Sequence, residues 1–382
     1  MELFAQMIGG TRLKQDKYQC IGCGAQIQTE SAKEIGYLPA SAFSKGLDKG
    51  DFYCQRCFKL RNYNELQDLE ISEDVFLDRL SDIAEDKAYI INLIDIFDVE
   101  GSLISGLSRF IGNQAFTILA NKKDLLPKST NFQRVKHWLT KLIHQQGLRP
   151  EYVHLIAANN KESLDDLIQL IKEKLAFQNV YIVGVTNVGK STLINQFIEL
   201  FGGDKEVITT SNYPGTTLDM IRIPITEKTG LIDTPGIIRK SQMTHIVNRE
   251  AYKQVIPTKT IKPTTFQLNP GQTLFLAGLA RVDYPKGDRM AITFYVSNAL
   301  YIHRTKIENA DRIYQEHLGG LLTPPEAKDC KDFPPLVKQN IKVLPDQDIT
   351  ISGLGWFKVN QAVELTVWLP KGIQLSRRES II

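Results

Sequence analysis

Four short apolar runs set the architecture of the middle of the chain. Ala88–Ile94 (Ala-Tyr-Ile-Ile-Asn-Leu-Ile), Ala115–Ala120, Tyr152–Ala157 and Val180–Val183 have the length and continuous apolar character of strands buried on both faces. Between and after them the spacing is helical. Val135, Trp138, Leu139, Leu142 and Ile143 share one face, Leu164–Leu175 forms a second amphipathic stretch, and Leu193, Ile194, Phe197, Ile198 and Phe201 mark a third over Ser191–Phe201. Strands separated by helices predict a parallel sheet covered on both sides. Beyond residue 250 the pattern changes. Thr273–Val282, Met290–Val296, Ile349–Ile351 and Ala362–Leu369 carry the β-branched and aromatic content of strands between Gly, Pro and Asp turns, with a short helix at Asn309–Leu318. The first 65 residues fit neither pattern and hold too little apolar surface for an independent core. Three segments follow: a small module at 1–65, an α/β domain at 66–250 and a β-rich α+β module at 251–382.

Composition sharpens this division only slightly. A hydrophobic content of 42% and a charged content of 23% over 382 residues are those of a water-soluble globular protein. No apolar run reaches the roughly 18 residues of a membrane span. Met1–Lys17 lacks the apolar core of an export signal, so a cytoplasmic location is the expectation. The net charge of +3 is uneven: residues 251–382 hold 17 Lys and Arg against 12 Asp and Glu. That mild surplus is compatible with an RNA partner for the C-terminal module.

Four of the five cysteines form two C-x-x-C pairs, Cys20/Cys23 and Cys54/Cys57. Each pair can place two thiolates about 2.3 Å from one tetrahedral zinc, and two pairs close a four-sulfur structural site. Two disulfides are the rival reading, disfavoured without an export signal; a redox pair is disfavoured because two pairs occur. Metal binding would then supply much of the module's folding energy. Aromatics beside Lys45, Lys49, Arg56, Lys59 and Arg61 suit either nucleic-acid stacking or a small core.

The chemistry lies in the α/β domain. Gly184-Val185-Thr186-Asn187-Val188-Gly189-Lys190-Ser191 matches the phosphate-loop pattern at every fixed position, between a strand and a helix that starts Ser191-Thr192. Gly184 and Gly189 let the backbone aim N–H groups at phosphate oxygens, Lys190 adds charge, and Ser191 offers a hydroxyl to magnesium. Asn121-Lys122-Lys123-Asp124 follows the second strand; a carboxylate at Asp124 accepts two hydrogen bonds from the N1–H and amine edge of guanine, which adenine cannot supply. Downstream, Pro214-Gly215-Thr216-Thr217 can present a threonine hydroxyl to magnesium. In Asp233-Thr234-Pro235-Gly236, Asp233 suits the ion's water shell and the Gly236 N–H a γ-phosphate.

These motifs resemble those of the Ras-type GTPases, in an unusual order. N-K-x-D at 121 precedes the phosphate loop at 184, a circular permutation. With the cysteine pairs, Ile96-Phe97-Asp98 and Ser352-Gly353-Leu354-Gly355-Trp356, the chain resembles over its full length the YqeH-type permuted GTPases of bacterial ribosome biogenesis. The resemblance implies a Ras-like P-loop GTPase domain that hydrolyses GTP to GDP and phosphate. Lys190 is then on the β- and γ-phosphates, Ser191 and Thr217 on magnesium, Asp233 on the same ion through water, and Asn121 and Asp124 on guanine. Asn187 matches a phosphate-loop asparagine that coordinates potassium in related enzymes. Ala157-Ala158-Asn159 stands where Ser-Ala-Lys is usual, leaving the Ala158 N–H for the guanine O6 but neither the serine hydroxyl nor the lysine. Ile237 stands where Ras-like enzymes carry a water-orienting glutamine, so intrinsic hydrolysis is expected to be slow and raised by potassium or a ribosomal partner. The implied role is nucleotide-switched assembly of the small (30S) ribosomal subunit. The C-terminal module would contact rRNA, with Arg281, Lys286, Arg289, His303, Arg304, Lys306, Arg377 and Arg378 as candidate phosphate contacts, and no DNA or membrane partner is expected. The alternative is a zinc-containing RNA-binding protein that uses bound guanine nucleotide as a switch without turnover. Permutation also makes the stretch from Gly236 to about Glu250 the exit into the C-terminal module, so switch movements are expected to pass there directly.

Overall fold

The computed structural model describes residues 18–21, 25–32, 34, 36–47, 52–63, 70–71, 87–104, 106–201 and 220–382. In chain order the elements begin with α1 (Ala40–Leu47), α2 (Gln55–Tyr63), β1 (Glu70–Ile71), β2 (Ala88–Asp95), α3 (Val99–Ser102), α4 (Leu107–Ile111) and β3 (Ala115–Asn121). They continue through α5 (Phe132–Gln145), β4 (Tyr152–Leu155), α6 (Asp165–Leu175), β5 (Asn179–Val183), α7 (Lys190–Phe201), β6 (Ile221–Pro224), β7 (Gly230–Asp233), β8 (Gly236–Ile237) and α8 (Arg249–Val255). The remainder is β9 (Thr264–Leu268), β10 (Gln272–Leu276), β11 (Ala280–Tyr284), β12 (Met290–Val296), β13 (Ile302–Lys306), α9 (Ile307–His317), β14 (Leu336–Val343), β15 (Gln347–Ile351), β16 (Gly355–Val359), β17 (Val363–Pro370) and β18 (Leu375–Glu379).

Two compact units divide the chain, and three segments compose each of them: 1–94, 104–121 and 144–238 in the first, 95–103, 122–143 and 239–382 in the second. The first holds a six-stranded sheet in the order β4-β3-β2-β5-β7-β6. β3 and β4, β2 and β5, and β5 and β7 pair in parallel, whereas β6 pairs antiparallel with β7. The sheet is thus mixed, not parallel throughout: β6 and β7 are joined by the short turn around Glu227, which leaves no room for a crossover helix. β2 is buried along its whole length, as its unbroken apolar run requires of a central strand. α6 carries Asp165 and Asp166 in its first turn and Lys172 and Lys174 in its last, complementing the helix dipole, and buries Leu167, Ile171 and Leu175. A short parallel pair, β1 with β8, sets Glu70 beside Gly236.

The second unit is dominated by two five-stranded sheets, β13-β10-β11-β17-β14 and β18-β15-β16-β12-β9, whose pairings are antiparallel. Leu274, Leu276 and Val282 from the first sheet and Ile292, Phe294, Ile349 and Phe357 from the second belong to one buried core. Thr273–Val282, expected as one strand, is a hairpin. The chain reverses at Ala277-Gly278-Leu279, where Ala277 takes φ 49° and a side chain on Gly278 would come within 2.9 Å of the Leu322 carbonyl oxygen. The unbroken apolar run Leu274–Ala280 continues through the reversal, which hid it. The cysteine module, the α/β sheet and the β-rich C-terminal region expected from the sequence are all present. Among the described residues no helix is long and apolar enough to cross a membrane.

Candidate functional site

The phosphate loop leaves β5 at Val183 and is held by backbone contacts that only its sequence allows. A Cβ on Gly184 would lie 2.6 Å from the Leu93 carbonyl oxygen, so any larger residue would push the loop off the neighbouring strand. The Ile237 N–H donates to the Gly184 carbonyl at 3.3 Å, and the Thr186 N–H donates to the Ile237 carbonyl at 2.9 Å. The loop therefore runs beside the segment that carries Asp233 and Gly236. Asn187 and Gly189 both adopt positive φ, 65° and 92°, which curls the backbone before α7 begins. α7 buries Leu193, Ile194, Phe197 and Ile198 and so fixes its N-terminus at the loop. Thr192 is exposed in its first turn.

Lys190, Ser191 and Asp233 are brought together in burial: relative exposures are 2%, 8% and 1%. The Lys190 Nζ is 3.9 Å from Asp233 Oδ1. The other carboxylate oxygen of Asp233 accepts from the Arg56 guanidinium, which is also buried. Two cations thus meet one carboxylate at the mouth of the loop, leaving positive charge where phosphate oxygens would lie. Oxygen donors at Ser191 and Asp233 are the hard ligands that magnesium takes. Thr216 and Thr217, the other expected contributors, lie outside the described residues. Ile237 is fully buried with its backbone tied to the loop, which leaves it no means of orienting a water molecule.

Asn121 has a larger structural role than the sequence suggests. Its Nδ2 donates to the Val188 carbonyl at 2.8 Å, and its Oδ1 accepts from the Ala158 N–H at 2.8 Å. One buried amide thus joins the phosphate loop to the Ala157-Ala158-Asn159 element, and a Cβ on Gly189 would fall 2.4 Å from its Nδ2. The Ala158 N–H, expected to face the base, is engaged by Asn121 in this state. Lys122 and Asp124 fall in the second unit. Lys122 adopts φ 69° and its Nζ pairs with Asp95 Oδ2 at 2.6 Å, while Asp124 is exposed in the turn Lys123–Leu125.

The sulfurs of Cys20, Cys54 and Cys57 are buried and lie within 4.8 Å of one another. The Cys54 N–H donates to the Cys20 sulfur at 3.2 Å. Cys23 lies outside the described residues. Three convergent thiols suit tetrahedral zinc, whose ligand sulfurs need to approach one another this closely.

The second unit contains a buried polar junction that the sequence flagged without explaining. Asp98 accepts from the Gly101 N–H at 3.2 Å, Gln242 Nε2 at 3.0 Å, Ser352 Oγ at 2.9 Å and the Gly353 N–H at 2.8 Å. The Met243 N–H donates to the Ser352 carbonyl at 2.8 Å. A side chain on Gly353, at φ 73°, would come within 2.9 Å of the Met243 nitrogen. Burial, with Glu100 and Asp95 nearby, pushes the Asp98 carboxyl up to about 6 against the lowering effect of its Ser352 and Gln242 hydrogen bonds.

Two of the expected phosphate contacts are structural instead. Arg281 is buried, its guanidinium shared between Asp283 and Asp311 and set 4.9 Å over the Trp368 ring. Arg378 is buried between Trp138 and Trp356, at 5.2 and 4.9 Å, and pairs with Glu100. Neither guanidinium is presented to a polyanion. Lys286, Arg289, Arg304, Lys306 and Arg377 are exposed and His303 is half-buried.

Comparison with known proteins places these features in a family. Residues 179–277 match the model of the 50S ribosome-binding GTPase family, and residues 289–381 match the YqeH-like C-terminal family. The Bacillus subtilis protein YqeH is 44% identical over 369 residues, which cover 96% of this chain and all of the relative. The NO-associated protein 1 of Arabidopsis thaliana, chloroplastic/mitochondrial, is 27% identical over 89% of this chain and 69% of its own. GTPase Der of Legionella pneumophila is 30% identical over 46% of this chain and 38% of its own.

Proposed function

Because the chain belongs to the YqeH family of GTPases, with a P-loop GTPase fold on a mixed sheet, an N-terminal cysteine cluster and a β-rich C-terminal region, we propose that it hydrolyses GTP slowly as a nucleotide-switched assembly factor for the small ribosomal subunit. The observation that carries this reading is the buried meeting of Lys190 and Asp233 at the end of a correctly curled phosphate loop. In it, Lys190 and the loop N–H groups hold the β- and γ-phosphates, and the curl at Asn187 and Gly189 orients them. Ser191, Thr217 and Asp233 would hold magnesium, which would offset negative charge on the β- and γ-phosphates. The Gly236 N–H meets the γ-phosphate, and the motif residues Asn121, Lys122 and Asp124 and the Ala158 N–H are the guanine-reading groups. Cys20, Cys23, Cys54 and Cys57 hold zinc, and Asn187 a potassium ion that takes the place of an arginine finger. The site is cytoplasmic, and the exposed basic residues of the C-terminal module meet rRNA. A buried Ile237 favours, as the second reading, a nucleotide switch without significant turnover.

Multiple-turnover phosphate release separates the two. The intact protein is expected to turn over in potassium several-fold faster than in sodium, and Lys190→Ala to lose at least about a hundredfold in rate, as for loss of a principal charge-stabilising group. Equal rates in the two salts would remove the potassium assignment; no release above the Lys190→Ala background would leave the switch reading. Sedimentation with separated ribosomal subunits in GTP-analogue, GDP and nucleotide-free states tests the partner. Co-sedimentation with the small subunit in one nucleotide state is expected, and binding to the large subunit instead would overturn the assignment.

A further inference from the structure

Arg56 lies between Cys54 and Cys57, at the start of α2, yet its guanidinium is engaged by Asp233, 177 positions further along the chain. Arg56 is 4% exposed and Asp233 1%, so this pair is sealed from water, with Lys190 on the other carboxylate oxygen at 3.9 Å. A surface arginine would be energetically indifferent to its partner. One buried on a carboxylate that is assigned to a metal is not, because guanidinium and dication need the same electron pairs and repel each other in a poorly screened pocket.

We propose that Arg56 is a positioning residue of the nucleotide site: it holds Asp233 as counter-ion in the nucleotide-free state and competes there with magnesium, so that loading of magnesium and GTP frees the first turn of α2. The inference rests on the nucleotide reading given above. It makes the cysteine module part of the GTPase machinery, since the thiols at 54 and 57 fix the backbone that aims the guanidinium. Occupancy of the metal cluster is thereby linked to how readily Asp233 is released.

Magnesium titration of the full chain, in the presence of a fluorescent non-hydrolysable GTP analogue, reads this competition as a binding curve. Arg56→Gln is expected to lower the magnesium concentration at half-saturation about tenfold, and Arg56→Lys about threefold, because an ammonium keeps the charge but not the planar guanidinium that reaches the carboxylate. An unchanged or increased magnesium requirement in Arg56→Gln, with zinc content equal to that of the unmodified protein, overturns the proposal. Should Arg56→Gln lose its zinc, Arg56→Lys decides by the same criterion. Analogue binding by the unmodified protein that is indifferent to magnesium, or retained fully in Lys190→Ala, would overturn the nucleotide reading itself, and the competition with it.

Discussion

Asp124→Asn is expected to lower affinity for GDP on the order of a thousandfold and to make XDP the preferred ligand, since sites built to pair with a particular polar edge reject its analogue by such factors. A carboxylate offers two acceptors to the N1–H and the exocyclic amine of guanine. The asparagine amide keeps one acceptor but turns a donor toward the amine, leaving two donors face to face and both desolvated. Xanthine carries a carbonyl at that position, which accepts from the amide while its N1–H meets the remaining oxygen. Asp124 is exposed in its turn, so the substitution leaves the buried core untouched. Titration of GDP, XDP and ADP against both proteins provides the measurement. A variant that still prefers GDP would show that Asp124 does not read the base, and equal affinity of the unmodified protein for GDP and ADP would remove the guanine assignment altogether.

How much of the fold is legible in the sequence depends on where each strand sits. β2, β3 and β5 are central, buried on both faces, and their apolar runs announce them. The C-terminal strands that the pattern does not reveal are chiefly β9, β13, β14 and β18, and these are the four edges of the two five-stranded sheets. β14, Leu-Val-Lys-Gln-Asn-Ile-Lys-Val, exposes four consecutive residues, and β18 exposes Arg377 and Glu379. Edge strands carry polar and charged residues because an exposed apolar edge would pair with other chains. Their sequences consequently read as loops. β16 is an inner strand, but its Gly355-Trp356 reads as a turn; only the sheet shows that Gly355, at φ 134°, passes so close to the Tyr295 carbonyl that a Cβ would sit 2.3 Å away.

The site is legible where chemistry is local and obscure where it is assembled. Gly184, Gly189, Lys190 and Ser191 are adjacent in sequence, and the loop geometry follows from them. Asn121 is readable as part of a guanine motif, yet its contacts to Val188 and Ala158 depend on the end of β3 meeting the loop after β5 across the intervening β2. No spacing rule joins Arg56 to Asp233, 177 positions apart. Arg281 and Arg378 show the converse: a basic residue in a β-rich module is read as a phosphate contact until burial against Asp283 and Glu100 is seen.

Asp98→Ala is expected to destabilise the second unit by about 3 kcal/mol or more, the range for breaking a buried charged hydrogen-bond network. The loss leaves the Ser352 hydroxyl, the Gln242 amide and the Gly353 N–H without their shared acceptor. Asp98→Asn keeps the shape and one acceptor but removes the ionisation, and it therefore isolates the electrostatic part. The Asp98 carboxyl titrates at about 6 in the folded chain, above the roughly 3.9 of an unfolded aspartate, so the native state binds the proton more tightly. Its contribution to stability is full below about pH 4, declines as pH rises to about 6, and is flat above, a change of no more than about 3 kcal/mol. Denaturant unfolding of the unmodified protein and Asp98→Asn across pH 4.5 to 7.5 is expected to show the difference between them shifting with that sign: the variant relatively more stable at the higher pH. A pH-independent difference would mean that the hydrogen bonds to Ser352 and Gly353 outweigh burial and keep Asp98 ionised throughout.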